Sequence, residues 1–239
     1  MAAGRPLERS IGTLMTIAEN IARIRANMAA AAREAGRDPK EMLLVGASKM
    51  NDAAACREAV AAGIDALGEN RVQEMVQTLE QHAYDGAPLH FIGHLQRNKV
   101  KQVVGHVALI QSVGSLELLD EIEKVAAARG LVQDILLEVN IGREAAKSGF
   151  APEKVLPAAE AALERTHVRV RGLMTIPPAD AQRDANFRYF QEVQALYVDM
   201  NQKLFHNELE YLSMGMSGDF REAILEGATM VRIGSALFQ

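Results

Sequence analysis

Lys49 closes the apolar run Leu43-Leu44-Val45-Gly46-Ala47, and lysine is scarce in this chain, eight residues against eighteen arginines. An amine held where water is thin favours its neutral form and becomes a nucleophile toward aldehydes. Its plainer readings are a side chain that carries its charge out to solvent, or one that pairs with Glu69. Far along the chain, Ser213-Met214-Gly215-Met216-Ser217-Gly218 runs into a helical pattern starting near Phe220, and Gly234-Ser235 follow an apolar run that carries Arg232. Small hydroxyls and backbone N–H groups at a helix start cradle phosphate; the same residues also form ordinary turns. An amine facing such a cradle suits a ring with an aldehyde at one end and a phosphate at the other, which describes pyridoxal 5'-phosphate. It also suits a class I aldolase, in which Lys49 attacks the ketone of a sugar phosphate directly.

These residues lie far apart in sequence, so a fold must bring them together. Short apolar, β-rich runs occur at Leu43–Ala47, Ile64–Gly68, Leu89–Gly93, Leu109–Val113, Ile135–Ile141, Val168–Ile176, Tyr211–Met214 and Met230–Ile233. Helical patterns separate them at Asp52–Ala62, Arg71–Gln81, Gln96–Val104, Ser115–Arg129, Pro152–Glu164, Asp184–Leu204 and Phe220–Glu226. Strands apolar throughout belong in a parallel sheet covered on both faces, and eight βα units close into a (β/α)8 TIM barrel. An amphipathic segment, Ile11–Ala35, with Ile17, Ile21, Ile24 and Met28 at helical spacing, supplies the eighth helix. A doubly wound open sheet is the rival, but Gly46-Ala47-Ser48-Lys49 lacks the glycine fingerprint of a dinucleotide turn. In a barrel, function gathers at the C-terminal strand ends. These carry Ser48 and Lys49, Glu69 and Asn70, His94 and Gln96, Gln111 and Ser112, Asn140, Thr175, Ser213 to Gly218, and Arg232 to Ser235.

The chain has 239 residues and a net charge of -5, which gives no general attraction to nucleic acid or anionic lipid. Cys56 is the only cysteine, so no internal disulfide forms and a reducing, cytoplasmic setting fits. No run reaches the length of a membrane span, and the six histidines show no metal-ligand spacing. Cys56 reads as a packed side chain. His94 is either a pocket residue or an ordinary loop histidine, Met174, Met214 and Met216 are core or pocket wall, and Glu69 either counters Lys49 or caps the next helix.

Several blocks in register carry a family resemblance between about Met42 and Phe238. They include Leu43 to Lys49, Leu67-Gly68-Glu69-Asn70-Arg71-Val72-Gln73-Glu74, His90-Phe91-Ile92-Gly93-His94-Leu95-Gln96-Arg97-Asn98-Lys99 and Lys147-Ser148-Gly149. Gly172-Leu173-Met174-Thr175-Ile176-Pro177, Leu212 to Ser217 and Val231 to Ser235 complete them. The chain resembles the YggS/PROSC family of pyridoxal phosphate homeostasis proteins, itself similar to the N-terminal barrel of alanine racemase, the type III fold of pyridoxal phosphate proteins. The resemblance implies one domain over residues 1–239, a monomer, with the N-terminal helix within 1–40 packed on a barrel at 41–239. It implies Lys49 as the Schiff-base (internal aldimine) lysine, Asn70 near the ring hydroxyl, Arg232 at the pyridine nitrogen, and Ser217, Gly234 and Ser235, with Ser213, at the phosphate. The expected role is to buffer, deliver or sequester the cofactor for pyridoxal phosphate-dependent apoenzymes, without catalysis. The enzyme alternative is an amino acid racemase. That reaction needs a second acid/base, a tyrosine from a further domain in alanine racemase, and none of Tyr84, Tyr189, Tyr197 and Tyr211 is placed for it. The chain departs from the family pattern at Met50-Asn51, Ser235 and Gly218-Asp219-Phe220-Arg221.

Overall fold

The computed structural model describes residues 15–179 and 183–239. The first helix, α1 (Ile17–Glu34), begins where Thr16 and Glu19 each accept the other's backbone N–H. That reciprocal box satisfies donors the first turn would otherwise leave bare. Its expected first residues, Ile11 to Leu14, lie outside the described ones.

Strand and helix then alternate. The first half runs β1 (Leu43–Ala47), α2 (Ala53–Ala61), β2 (Ala66–Glu69), α3 (Val72–Glu80), β3 (Leu89–Phe91), α4 (Val100–Val103), β4 (Leu109–Val113) and α5 (Leu116–Arg129). The second runs β5 (Gln133–Val139), α6 (Val155–Leu163), β6 (Val168–Thr175), α7 (Arg183–Leu204), β7 (Tyr211–Ser213), α8 (Phe220–Leu225), β8 (Met230–Ile233) and α9 (Ser235–Phe238). Every strand pairs in parallel with the next, and β8 pairs with β1 to close the barrel. The expected (β/α)8 fold is therefore present. β8 is followed only by the single turn of α9, and α1 takes the eighth place in the outer ring, packing on α8, α9 and α2. Its Asn20 amide donates to the carbonyls of Leu237 and Gln239, which ties it to the chain beyond β8.

Alternate residues on each strand face opposite sides. One side meets the helices through large apolar groups such as Leu44, Leu67, Phe91, Ile110, Leu137 and Leu173. The other fills the barrel with Val45, Ala66, Leu109, Leu136, Met174 and Met230. At the N-terminal mouth, Tyr211 packs against this interior cluster with the Arg171 guanidinium 5.2 Å from its ring centroid. Asp134 pairs with both Arg169 and Arg171, and Arg171 also pairs with Glu210.

Several boundaries differ from the sequence reading. β5 starts at Gln133 and stops at Val139, while the expected helix Gln96–Val104 is a 3-10 turn at Arg97–Lys99 followed by α4. β3 ends at Phe91, two residues short of Gly93. There the backbone crosses the β2 exit so closely that a Cβ on Gly93 would lie 2.0 Å from the Asn70 carbonyl oxygen. Gly93→Ala should therefore displace the turn carrying Asn70 and cost about 3 kcal/mol or more, read as a lowered denaturation midpoint. A midpoint equal to that of the parent would show that the crossing yields freely.

Candidate cofactor site

A cavity of about 290 Å³ opens at the C-terminal strand ends, with Lys49, Asn70, Ser217, Arg232, Gly234 and Ser235 on its surface. The barrel thus gathers six of the seven expected residues from four strand ends. Ile92, Ile176 and Met216 add apolar walls. Met216 takes the pocket-wall reading offered by the sequence, whereas Ile92 and Ile176 read there only as strand residues, because an apolar wall carries no motif.

The seat of Lys49 is built from behind. Ser48 is buried, and its hydroxyl donates to Glu69 Oε1 at 2.5 Å, the same oxygen that accepts the Tyr84 hydroxyl at 2.9 Å. Glu69 therefore neither counters Lys49 nor caps α3, whose N-cap residue is Arg71, with no side-chain capping bond. It clamps the β1 exit to the β2 exit. Lys49 itself is exposed and forms no ion pair among the described residues. This corrects the expectation of an amine stripped of water; of the readings weighed, the side chain reaching to solvent is the one observed.

Burial pushes the Glu69 carboxyl above the usual carboxylate range, opposed by its two hydroxyl donors, and Oε2 has no partner among the described residues. A carboxyl raised in this way binds a proton more tightly when folded, so stability falls as pH rises above the unfolded value of about 4.5. Glu69→Gln mimics the protonated group and keeps an acceptor for Ser48 and Tyr84. Its melting temperature relative to the parent should rise between pH 4.5 and pH 8; a relative fall would mean that the carboxyl is ionised.

On the same rim, the loop after β7 folds back on α8. Gly215 has φ +96, and a Cβ there would come within 2.6 Å of Ala223 Cβ, a turn only glycine makes without strain. Asp219 holds the loop from inside, accepting the Met216 N–H at 2.7 Å and the Asn186 amide at 3.0 Å. Ser217 and Ser235 meet with hydroxyl oxygens 3.3 Å apart. The N–H groups of Ser217, Gly218, Gly234 and Ser235 find no acceptor among the described residues. Two hydroxyls and four unspent donors fit a phosphate.

Arg232 forms the floor. It is 3% exposed and has no carboxylate within ion-pair distance among the described residues. Nη1 donates to Ser213 Oγ at 2.6 Å and Nη2 to the Thr175 carbonyl at 2.8 Å. Burial pushes its pKa down to about 10, with Glu138 and Asp219 acting the other way, so it stays cationic at neutral pH. Ser213, the seventh expected residue, is wholly buried and bonded to Arg232 and Gln111, so it lies under the guanidinium and not on the cavity surface. Asn70 Oδ1 is buried at the cavity edge without a partner among the described residues, an acceptor suited to a ring hydroxyl.

The remaining candidates fall elsewhere. His94 lines a neighbouring pocket of about 650 Å³ formed by the loops after β3, β4 and β5. Cys56 is buried, and burial with nearby Glu69 pushes its thiol up to about 11, which keeps it unreactive. Tyr84 is spent on Glu69, Tyr197 donates to the Leu209 carbonyl, and Tyr211 lies at the opposite mouth. Met174 is barrel interior, Met214 is core, and Met216 is cavity wall. No cluster of three metal-ligating side chains exists among the described residues.

Residues 20–239 match the family model of the alanine racemase N-terminal domain. A pyridoxal phosphate homeostasis protein of Aquifex aeolicus is 42% identical over 224 residues, covering 94% of this chain and 98% of that protein. The chain belongs to the pyridoxal phosphate homeostasis protein family. A second family member, from Escherichia coli K12, is 34% identical over 93% of this chain and 95% of its own. Among solved structures, the family member PipY of Synechococcus elongatus with pyridoxal phosphate bound superposes with a TM-score of 0.81 at 31% identity, over 94% of this chain and 100% of that one. Alanine racemase of Clostridium difficile superposes at 0.68 with 17% identity, over 89% of this chain and 55% of that enzyme, a likeness of fold.

Proposed function

We propose that this family member binds pyridoxal 5'-phosphate in the Lys49 cavity and keeps it for other proteins without turning over a substrate. What carries the reading is one small cavity that brings together an exposed amine, two hydroxyls, a buried cation and four N–H donors with no acceptor among the described residues. The cofactor supplies a reactive aldehyde and an electron-accepting ring. Lys49 holds the aldehyde end covalently, Asn70 accepts from the ring hydroxyl, and Ser217, Gly234 and Ser235 hold the phosphate. Arg232 faces the ring nitrogen, where a fixed cation opposes protonation and blunts the ring as an electron sink. Ser213 serves by holding Arg232.

Custody is favoured over racemisation by the chemistry of the walls. Of the groups on the cavity surface only Lys49 and Arg232 ionise, and a racemase needs a second group that exchanges protons near neutral pH. The protein is proposed to act as a one-domain cytoplasmic monomer whose recipients are pyridoxal phosphate-dependent apoenzymes. No described helix is long and apolar enough to cross a membrane. The test loads the purified protein with the cofactor, mixes it with an apoenzyme and follows the regain of that enzyme's activity. Transfer without turnover of D- or L-amino acids supports the reading; steady racemisation overturns it.

A further inference from the structure

Beneath the cavity lies a buried polar chain that the roles above do not use in full. Ser213 Oγ donates to Gln111 Oε1 at 2.6 Å, and Gln111 Nε2 stands 3.0 Å from His90 Nδ1 and 3.1 Å from the Met230 sulfur. Gln111 and Ser213 are wholly buried, and His90 is 7% exposed.

The chain has one permitted direction. A guanidinium only donates, so Ser213 Oγ accepts from Arg232 and must place its own proton elsewhere. The neighbouring acceptor is Gln111 Oε1, which fixes the amide with its oxygen toward Ser213 and its NH2 toward His90. The NH2 also only donates, so His90 Nδ1 must present a lone pair and the ring proton sits on Nε2. Reversing any link would aim two donors at each other or leave the Ser213 proton without an acceptor, which is costly in a buried place. Burial alone already pushes His90 down to about 4, so a neutral ring is consistent with both effects.

We infer that Gln111 and His90 are positioning residues for Arg232: through Ser213 they fix where its Nη1 donor points, while the Thr175 carbonyl takes a donor of Nη2. The inference rests on the cofactor reading above and adds that retention depends on side chains that never touch the ligand. Without Gln111, the Ser213 proton has no fixed acceptor, and the hydroxyl that receives Arg232 Nη1 is free to turn.

Two measurements test it. Pyridoxal phosphate is loaded on the parent, Gln111→Leu and Gln111→Glu proteins, and its loss on dilution is followed by visible absorbance together with the pH midpoint of that spectrum. Gln111→Leu should lose the cofactor on the order of five- to tenfold faster with a displaced midpoint, and Gln111→Glu, which restores an acceptor oxygen, should return the rate to within about twofold. Parental loss rates and midpoint in Gln111→Leu, with only its melting temperature changed, would mark Gln111 as plain core and overturn the inference. The second measurement uses cofactor-free protein and reads the His90 tautomer by nitrogen-15 NMR. A proton on Nε2 in the parent, lost to a mixture in Ser213→Ala, is the expected result; a proton on Nδ1 in the parent sinks the relay. Failure of the parent to take up pyridoxal phosphate would instead sink the cofactor reading, and the NMR result would still decide the relay.

Discussion

Lys49→Ala should fold as the parent does and lose its hold on pyridoxal phosphate by on the order of a hundredfold or more. The side chain is exposed and has no ion pair among the described residues, so removing it leaves no buried partner unsatisfied. What it removes, on the proposed role, is the covalent link, which would leave the phosphate cradle and Arg232 to bind a freely exchanging ligand. Equilibrium dialysis with absorbance at the cofactor's visible band measures both the affinity and the loss of the bound chromophore. An unchanged visible band in Lys49→Ala would assign the amine to another residue.

Arg232→Met should separate stability from binding. An unpaired buried cation has given up its hydration without a counter-ion, so an apolar side chain of similar length relieves that penalty. Against this stands the Thr175 carbonyl, which loses its donor. The cofactor-free melting temperature is expected to hold or rise, while affinity for pyridoxal phosphate falls on the order of tenfold to a hundredfold, the worth of a hydrogen bond to a charged group. Scanning calorimetry of the cofactor-free protein and a binding titration give the two halves. A melting temperature that falls sharply with affinity untouched would make Arg232 a structural ion and remove it from the site.

Both expectations concern residues the sequence exposes well. Lys49 and the Ser217 and Gly234-Ser235 loops are legible because strand ends in a closed parallel barrel converge wherever helices cover both faces. Strands β1, β4 and β8 are legible to the residue, since uninterrupted apolar runs bounded by polar turns leave little freedom in placement. Hidden are features that depend on which neighbour a side chain meets. Ser213 reads as a phosphate ligand because it sits among glycine and serine; the one-step alternation of a strand turns it beneath Arg232. Glu69 offers two roles by its spacing and takes a third, because Tyr84, fifteen residues on, returns beside it. The hydration of Lys49 is misjudged because an apolar strand says nothing about how open the rim beyond it is.

The ion pairs and stacked ring at the N-terminal mouth have a consequence for traffic. With Tyr211 and Arg171 stoppering that end and six apolar side chains filling the bore above them, the barrel is a cup and not a tube. Anything held at Lys49 has one doorway, so under the proposed role a recipient apoenzyme would have to come to the C-terminal rim and take its cargo where it was loaded. Delivery and loading then compete for the same approach, and a full cup protects its contents from a second visitor by occupancy alone.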